Sequence, residues 1–269
     1  MSILGRIAAE PPFRLASYYV VKRFAHSVRT IDRWGAVARP NYLAGVLAAA
    51  DQAKRQQQRA ISVIEFGVAG GSGLVALQEA AAGVERDTGI GISVWGFDTG
   101  EGLPEPLHDY RDHPDQWIAA DYKMDVVKLR ARLERRTTLV LGPISETLPA
   151  WLENTQAPVG FISCDVDLYS STNDVLQVFG PRRRMLHRAF IYLADINFVF
   201  NHRFAGELLA VDEFNRRNEM VKIDRWRGIK KGRVFDTEPW LESMYVAHDL
   251  LAINACVPER APSERCALV

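Results

Sequence analysis

The stretch ISVIEFGVAGGSG, residues 61–73, decides the fold that we predict for this chain. Its first half is apolar and typical of a buried parallel strand, with an acid, Glu65, near the end. Four glycines follow within seven residues, and Leu74, Leu77 and Ala81 after them share one face of a helix. This order of strand, glycine loop and helix favours an anionic ligand, because glycine lacks a Cβ and the first helical N–H groups have no partner inside the helix.

The spacing of the glycines distinguishes two kinds of cofactor. A dinucleotide fingerprint that starts at Gly67 requires glycine at two positions that hold Ala69 and Ser72. The pattern E-x-G-x-[GA]-x-G instead matches Glu65, Gly67, Ala69 and Gly71, and it resembles the first motif of class I S-adenosylmethionine (SAM) methyltransferases. The alternative is a tight turn between strand and helix that holds no ligand.

A second acid, Asp98, ends the next apolar run, ISVWGFD, at residues 92–98. A carboxylate at the end of this strand can accept hydrogen bonds from both hydroxyls of a ribose, and the alternative is an Asp that caps a turn. Together these motifs predict the residues that contact the cofactor. They are Glu65, Phe66, Gly67, Val68, Gly71, Ser72, Gly73, Asp98 and Asp165.

Three stretches of the chain are similar to those of the macrocin O-methyltransferase family (TylF/MycF type). They are EFGVAGGSG (residues 65–73), GFDTGEGLPEP (96–106) and CDVDLYSST (164–172). The resemblance covers roughly residues 60–215. It implies a class I methyltransferase fold, SAM as cofactor, and transfer of a methyl group to a sugar hydroxyl in the biosynthesis of a natural product.

Apolar runs alternate with helical patterns along the chain, which indicates a parallel sheet with helices on both faces. Two further runs, residues 221–226 and 243–248, close the chain and suit the antiparallel strand that the resemblance implies. We therefore predict an α/β protein with a Rossmann-like, seven-stranded, mostly parallel sheet. The predicted division is an N-terminal helical extension (1–58), a SAM-dependent methyltransferase domain (59–256) and a C-terminal tail (257–269).

Two segments outside the predicted strands are candidates for covering the site. Residues 99–122 form a long polar stretch that leaves the carboxyl end of the second strand, so we predict a lid or a wall of the substrate pocket, followed by a helical pattern at residues 123–135. His108 and His113 in this stretch are predicted to be surface residues rather than catalytic bases. The helices predicted before residue 58 cover the active site, join copies of the chain into a homo-oligomer, or only cover the sheet.

Oxygen-bearing side chains recur after the fourth and fifth predicted strands. Residues two apart on an extended segment point to the same side, so pairs of this kind at the ends of neighbouring strands can meet. Oxygen ligands suit Mg²⁺, which would bind the substrate hydroxyl and lower its pKa. The predicted metal ligands are Asp165, Asp167, Asp195 and Asn197.

The same acids are candidates for the catalytic base. The resemblance implies a metal near Asp165 and Asp167 with a carboxylate as general base. The family normally has adjacent acids after the fifth strand, where this chain has Asp195 alone. His202 lies beyond that strand and is a further candidate base. The structural alternative is that Asp167 caps the next helix and Asp165 bonds to the backbone. The predicted catalytic residues are Asp165, Asp167 and His202.

The composition argues against several classes of protein. Lys plus Arg equals Asp plus Glu at 33 each in 269 residues, so nucleic acid is not an expected partner. Three cysteines, a small and odd number, favour a reducing compartment over a disulfide framework. No segment has the roughly 18 uninterrupted apolar residues of a membrane span, and the first residues lack the apolar core of a signal peptide. We therefore expect a cytoplasmic protein without a membrane partner.

Three functions remain open from the sequence. The first is a SAM-dependent O-methyltransferase that acts on a hydroxyl of a small molecule, with Mg²⁺ as a candidate cofactor. The second is a metal-dependent glycosyltransferase, because the D-x-D pattern of residues 165–167 also occurs in those enzymes. The third is a non-catalytic, methyltransferase-like SAM-binding or scaffolding protein, which the single acid after the fifth strand favours. Binding of SAM rather than a nucleotide sugar, and formation of S-adenosylhomocysteine (SAH), would separate them.

Overall fold

The computed structural model describes residue 10, residues 13–181 and residues 183–256. The predicted C-terminal tail, residues 257–269, lies outside the described residues, as does the beginning of the predicted N-terminal extension. Within the described ranges, no helix is both long enough and apolar enough to cross a membrane.

The chain is organised around one seven-stranded sheet with the order β3-β2-β1-β4-β5-β7-β6. Its strands are β1 (Ala60–Phe66), β2 (Gly91–Asp98), β3 (Thr137–Leu141), β4 (Val159–Cys164), β5 (Met185–Leu193), β6 (Val221–Arg225) and β7 (Met244–Asp249). β1 pairs in parallel with β2 and β4, whereas β7 is antiparallel to β5 and β6. The predicted mostly parallel sheet with one antiparallel strand is therefore confirmed. The strand order reverses between β1 and β4, and the carboxyl ends of strands at such a switch point form a crevice for ligands.

Helices cover both faces of the sheet. The helices of the described residues are α1 (Phe13–Phe24), α2 (Val28–Trp34), α3 (Pro40–Arg55), α4 (Ser72–Thr88), α5 (Val126–Arg130), α6 (Ile144–Asn154), α7 (Tyr169–Val175), α8 (Gly206–Arg217) and α9 (Leu250–Asn254). Short 3₁₀ turns occur at Tyr110–Asp112, Leu176–Phe179 and Pro239–Ser243. α5 occupies only part of the helical pattern at residues 123–135, and Asp125 caps its start by accepting the N–H of Lys128 (3.1 Å).

Each face of the sheet has its own apolar core. α3 and α4 cover one face, where Val46 and Leu77 are fully buried. α6, α7 and α8 cover the other face, where Leu148, Val175 and Phe214 are buried. Burying a side chain of this size stabilises the fold by about 1.5–3 kcal/mol. The two cores therefore hold the strand ends, and the crevice between them, in place.

α3 lies directly on the sheet, although it belongs to the predicted N-terminal extension. A Cβ on Gly45 of α3 would overlap the ring of Phe161 in β4. Gly160, in the same strand, approaches Ala49 of α3 almost as closely. The boundary predicted at residue 58 therefore divides the sequence but not the core, and α3 is close enough to contribute side chains to the crevice.

α1 and α2 lie further from the sheet and pack against the connection between β6 and β7. The rings of Trp34 and Phe235 are 6.5 Å apart, and Arg233 forms an ion pair with Asp32 (3.0 Å). The outer face of α1 leaves Leu15 and Tyr19 exposed. Association of two copies of the chain through these helices stays a prediction.

Candidate active site

A cavity of about 520 Å³ opens at the carboxyl ends of β1, β2, β4 and β5. This volume is typical of small-molecule sites. We call one part the glycine-loop end; its lining includes Arg39, Glu65, Asp98 and residues of the 67–73 loop. We call the other part the acid end; its lining includes Trp117, Tyr122, Asp165, Asp167, Ser170, Ser171, Asp174, Asp195 and Phe198.

The glycines of the loop are required mainly by contacts within the protein. A Cβ on Gly67 would overlap the carbonyl oxygen of Asp165, and one on Gly73 would overlap Oε1 of Glu65. A Cβ on Gly71 would overlap Leu129 of α5, and Gly71 does not line the cavity. At Gly70, by contrast, a Cβ would meet no atom within 4 Å. Close approach to a ligand is therefore possible at Gly70, whereas Gly71 is needed for packing.

Most of the predicted cofactor residues line the cavity. They are Glu65, Gly67, Val68, Ser72, Gly73, Asp98 and Asp165. Phe66 and Gly71 do not line it: the Phe66 ring packs in the core against Phe97, with ring centroids 5.0 Å apart. The contacts of these residues with a cofactor stay a prediction.

Asp98 holds the glycine loop by its backbone. Its Oδ2 accepts hydrogen bonds from the N–H groups of Val68 (2.8 Å) and Ala69 (2.9 Å). Its Oδ1 accepts one from the N–H of Gly100 (2.6 Å), at the beginning of the lid. Hydrogen bonds to an ionised acceptor are stronger than neutral ones. Asp98 therefore fixes the loop and the start of the lid, a role that its predicted contact with a ribose does not include.

Glu65 is a buried acid at the edge of the cavity. The hydroxyl of Tyr42, from α3, donates to Glu65 Oε1 (2.6 Å) and accepts from the hydroxyl of Ser163 in β4 (2.9 Å). Within the described chain, Glu65 Oε2 has no hydrogen-bond partner. Burial raises the pKa of Glu65 to about 8, even though the hydrogen bond from Tyr42 lowers it. The site therefore contains a carboxyl group that a bound cation could ionise.

Arg39 is the cationic residue of the cavity lining, and the sequence did not indicate it. It precedes α3, which begins with Pro40. Its guanidinium lies 3.5 Å from Ser72 Oγ at the start of α4 and over the ring of Tyr42. The position depends on the packing of α3 on the sheet, so no local pattern around residue 39 could have predicted it.

The acids after β4 and β5 lie at the same end of the cavity. Asp165, Asp167 and Asp195 all line the cavity. Burial, with smaller contributions from the charges of Asp165 and Asp121, raises the pKa of Asp167 to about 7. Burial and the charge of Asp167 also raise the pKa of Asp195. Asp167 therefore exchanges a proton more readily near neutral pH than an exposed Asp would.

Glu207, in the first turn of α8, is a buried acid that we did not predict. Its Oε2 accepts a hydrogen bond from the backbone N–H of Asp195 (3.0 Å). Burial, and then the charge of Asp195, raises its pKa. Oε1 of Glu207 and Oδ2 of Asp195 both lack partners among the residues that the structure describes. In the sequence, Glu207 could have been noticed as an acid directly after Gly206 at the start of a helix. The same pattern is also common at helix starts that have no role in a site.

Two of the predicted site residues are not brought to this cluster. Asn197 is exposed, and its amide donates to Ser243 Oγ (2.6 Å) and to the carbonyl of Pro239 (3.2 Å). His202 is also exposed and does not line the cavity. The predicted magnesium site therefore lacks its fourth ligand. In the described ranges, no group of three or more His, Cys, Asp or Glu side chains is arranged to hold a metal ion, so the residues present do not fit Mg²⁺.

The predicted lid is fastened to the acid end by Asp112. This fully buried carboxylate accepts hydrogen bonds from the N–H (2.8 Å) and the hydroxyl (2.7 Å) of Ser170 in α7, and from the N–H of Leu107 (2.7 Å). His113 follows it and is buried, which corrects the prediction of a surface residue; its ring packs against Phe200 (5.3 Å). His108 is exposed, as predicted.

The sheet order, the strand–glycine loop–helix unit and the crevice at the β1/β4 reversal define the class I SAM-dependent methyltransferase fold. The chain is similar to the solved structure of CalS11, a calicheamicin methyltransferase, with a TM-score of 0.55 and 18% identity. This match covers 89% of the chain and 93% of CalS11, and it confirms the predicted fold. The O-methyltransferase NovP is also similar, with a TM-score of 0.49 and 15% identity over 76% of this chain and 90% of NovP. No protein-family model and no curated protein matches the sequence.

Proposed function

We propose that this protein is a SAM-dependent O-methyltransferase that methylates a hydroxyl of a small molecule, a sugar or a sugar-bearing natural product. The observation that carries this proposal is one continuous cavity that joins a class I glycine loop to a set of acids. The similarity in fold to CalS11, a calicheamicin methyltransferase, supports a natural-product substrate. Membership of the TylF/MycF type is part of the proposal.

The glycine-loop end offers the groups that SAM requires. Bound SAM would supply a methyl group on a positively charged sulfur. Arg39 and the first N–H groups of α4 would hold its carboxylate. Glu65, whose Oε2 lacks a partner in the described chain, would hold its ammonium group. Asp98 keeps the loop in position and is the candidate for contact with the ribose.

Asp167 is the group that we assign as general base. It lines the acid end with a backbone φ of 62°, in the left-handed region where Asp is among the few tolerated residues. A base works best when its pKa lies near the working pH, and the pKa of Asp167 is about 7. Its carboxylate can therefore accept the proton that the substrate hydroxyl loses when the oxygen is methylated. His202, which lies outside the cavity lining, is not assigned this role.

We derive no catalytic step through Mg²⁺. Asn197 bonds to Ser243 instead of facing the acids, and the described acids do not form a coordination set. The D-x-D pattern of residues 165–167 would need such a metal in a glycosyltransferase, so the same observation weighs against that alternative.

The test of the proposed cofactor is calorimetry with the full chain. We expect SAM and SAH to bind, and NAD and uridine diphosphate glucose to bind far more weakly. Gly70→Val should abolish SAM binding without changing the melting temperature, because its Cβ meets open space and its methyl groups would enter the cavity. Gly91→Ala, which adds a methyl group outside the cavity lining, is the matched control and should change neither property.

Two outcomes would contradict the proposed function. One is a preference for NAD or the nucleotide sugar over SAM. The other is tight SAM binding without formation of SAH from any hydroxylated small molecule, which would favour the scaffolding alternative. Unchanged SAM binding in Gly70→Val would place the cofactor elsewhere.

A further inference from the structure

The charge of the cavity wall is strongly one-sided. Its described lining contains seven carboxyl groups and one cationic side chain, Arg39. Arg39 lies at the glycine-loop end, 3.5 Å from Ser72 Oγ. The described lining of the acid end therefore contains no Lys or Arg. A negatively charged group that binds at this end would meet carboxyl groups without a compensating cation.

Two carboxyl groups of the acid end lack the partners that buried acids normally have. Asp195 is 6% exposed, and its Oδ2 has no hydrogen-bond partner in the part of the chain that the structure describes. The half-buried carboxylate of Asp174 likewise receives no hydrogen bond or ion pair from the described residues. Asp174 lies one helical turn after Ser170, on the face of α7 that lines the cavity. Asp174, which is half-buried and lines the cavity, is therefore free to bind a donor on a ligand.

Aromatic rings complete the same end of the cavity. Trp117 and Tyr122 come from the lid and Phe198 from the loop after β5. Tyr122 and Phe198 are 57% and 50% exposed, so their rings are available to a ligand. The faces of aromatic rings attract cations, and Trp and Tyr do so most strongly. Acids with free oxygens beside aromatic faces form a site for an organic cation.

On the basis of the proposed function, we infer that the acceptor is a hydroxylated amine, such as an amino sugar, whose ammonium group is held by Asp174 beside these aromatic rings. Asp167 lines the same end of the cavity as Asp174, so it is the base that the hydroxyl of this acceptor would reach. A phosphorylated or nucleotide-activated sugar would place its negative charges against Asp167 and Asp174 without a compensating cation, and we expect it not to bind as the acceptor on this ground.

The experiment measures the binding of three probes to the full chain saturated with SAH. The probes are methyl β-D-glucosaminide, its N-acetyl derivative, which keeps the hydroxyls but lacks the charge, and uridine diphosphate glucose. We expect the amine to bind at least about tenfold more tightly than the N-acetyl derivative, the effect of one hydrogen-bonded charge pair. Uridine diphosphate glucose should not bind. Higher salt should weaken binding of the amine alone.

Variants assign the effect to Asp174. Asp174→Asn should remove the preference for the amine and leave the affinity for the N-acetyl derivative unchanged. Asp115→Asn, at an exposed acid of the lid outside the cavity lining, is the matched control and should retain the preference. Repeating the titrations in excess EDTA should change nothing, because the amine, and not a metal ion, meets the acids.

Four results would overturn the inference: absence of amine binding, equal affinity for the amine and the N-acetyl derivative, tighter binding of the nucleotide sugar, or an unaltered preference in Asp174→Asn. Loss of amine binding in EDTA would also overturn it, since a metal would then mediate the contact. The preceding titration with SAH separates the two proposals. If SAH does not bind, the proposed function fails and the acceptor with it; if SAH binds without a preference for the amine, only the acceptor is wrong.

Discussion

The two ends of the cavity differ in how their polar groups are satisfied. At the glycine-loop end, Asp98 accepts three backbone N–H groups, and Glu65 is bonded to Tyr42, which is bonded to Ser163. At the acid end, Asp195 retains an oxygen without a partner in the described chain. Of these acids at the first end, only Glu65 keeps an oxygen without a partner in the described chain. The protein therefore holds most of the first end in shape, whereas the second end leaves Asp174 for a ligand to satisfy. A substitution should affect stability at the first end and turnover at the second.

Asp167→Asn should give the largest effect and should be confined to turnover. Loss of a general base reduces the rate by about 10²–10⁴-fold, while the dissociation constant of SAM should stay unchanged. The wild-type rate should rise with pH through about 7, because the base acts in its deprotonated form and the pKa of Asp167 is about 7. SAH formation with an identified acceptor is the measurement.

Asn197→Ala is the control for Asp167→Asn, because the Asn197 side chain bonds to Ser243 outside the cavity lining. Its rate should match that of the wild type, as should the wild-type rate in excess EDTA. If Asp167→Asn turns over at the wild-type rate, Asp167 is not the general base. If the wild-type protein loses activity in EDTA and regains it with Mg²⁺, the predicted magnesium site exists.

Gly67→Ala should have the largest effect on stability. The added Cβ would overlap the backbone of Asp165, and the residue would keep a φ of +81°. Overpacking and left-handed strain together should lower the free energy of unfolding by about 2–5 kcal/mol. Urea unfolding measures this loss, and Gly70→Ala, which meets open space, is the control. Equal stability of the two variants would show that the loop relaxes freely and is not held by the sheet.

Asp98→Ala should affect stability and cofactor binding together. Removal of the carboxylate leaves the N–H groups of Val68, Ala69 and Gly100 without their acceptor, so the free energy of unfolding should fall by about 1–3 kcal/mol. SAM affinity should fall about tenfold to a hundredfold, because the loop is misplaced and the ribose contact is lost. Asp98→Asn, which keeps one carbonyl acceptor, should be intermediate. If Asp98→Ala binds SAM more weakly but is as stable as the wild type, Asp98 contacts the ribose and does not hold the loop.

A further expected effect is a change in the pH dependence of stability. Burial raises the pKa of Glu65 from its ordinary value of 4.5 to about 8, so the folded protein without SAM favours the neutral carboxyl. The contribution of Glu65 is fully present below pH 4.5 and is lost as the pH rises through about 8. Glu65→Gln should flatten this slope in urea titrations across pH 5–8.5, and SAM affinity should rise with pH in the wild type only. An identical slope in both proteins would show that Glu65 is ionised without the ligand.

The features that the sequence predicted correctly are encoded over short stretches. The apolar run before Glu65 and the helical pattern after Gly73 each depend on neighbours within one element, and together they indicate strand, loop and helix. The closing antiparallel strand also followed from two short runs. Asp98 was found because it ends its own strand, although its bonds to the backbone of the loop were not foreseen.

The residues that the sequence analysis missed depend on contacts between distant segments. Tyr42 reaches Glu65, and Arg39 reaches the cavity, only because α3 packs on the sheet. Asp112 reaches α7 from 58 residues away. The prediction that Asn197 faces the acids was wrong for a local reason. The rule that residues two apart share a side assumes an extended chain, but β5 ends at Leu193 and residues 196–200 run through turns.

The hydrogen bond between Tyr42 and Ser163 also has a consequence for folding during synthesis on the ribosome. These residues are 121 positions apart, so at 5–20 residues per second the ribosome takes about 6–24 s to add the second after the first. During this interval β1 and the glycine loop have emerged, but β4, which fixes the Tyr42 hydroxyl and whose end meets Gly67, has not. A nascent chain that stops before β4 therefore contains the glycine loop and Asp98 in its sequence but should be unable to bind SAM.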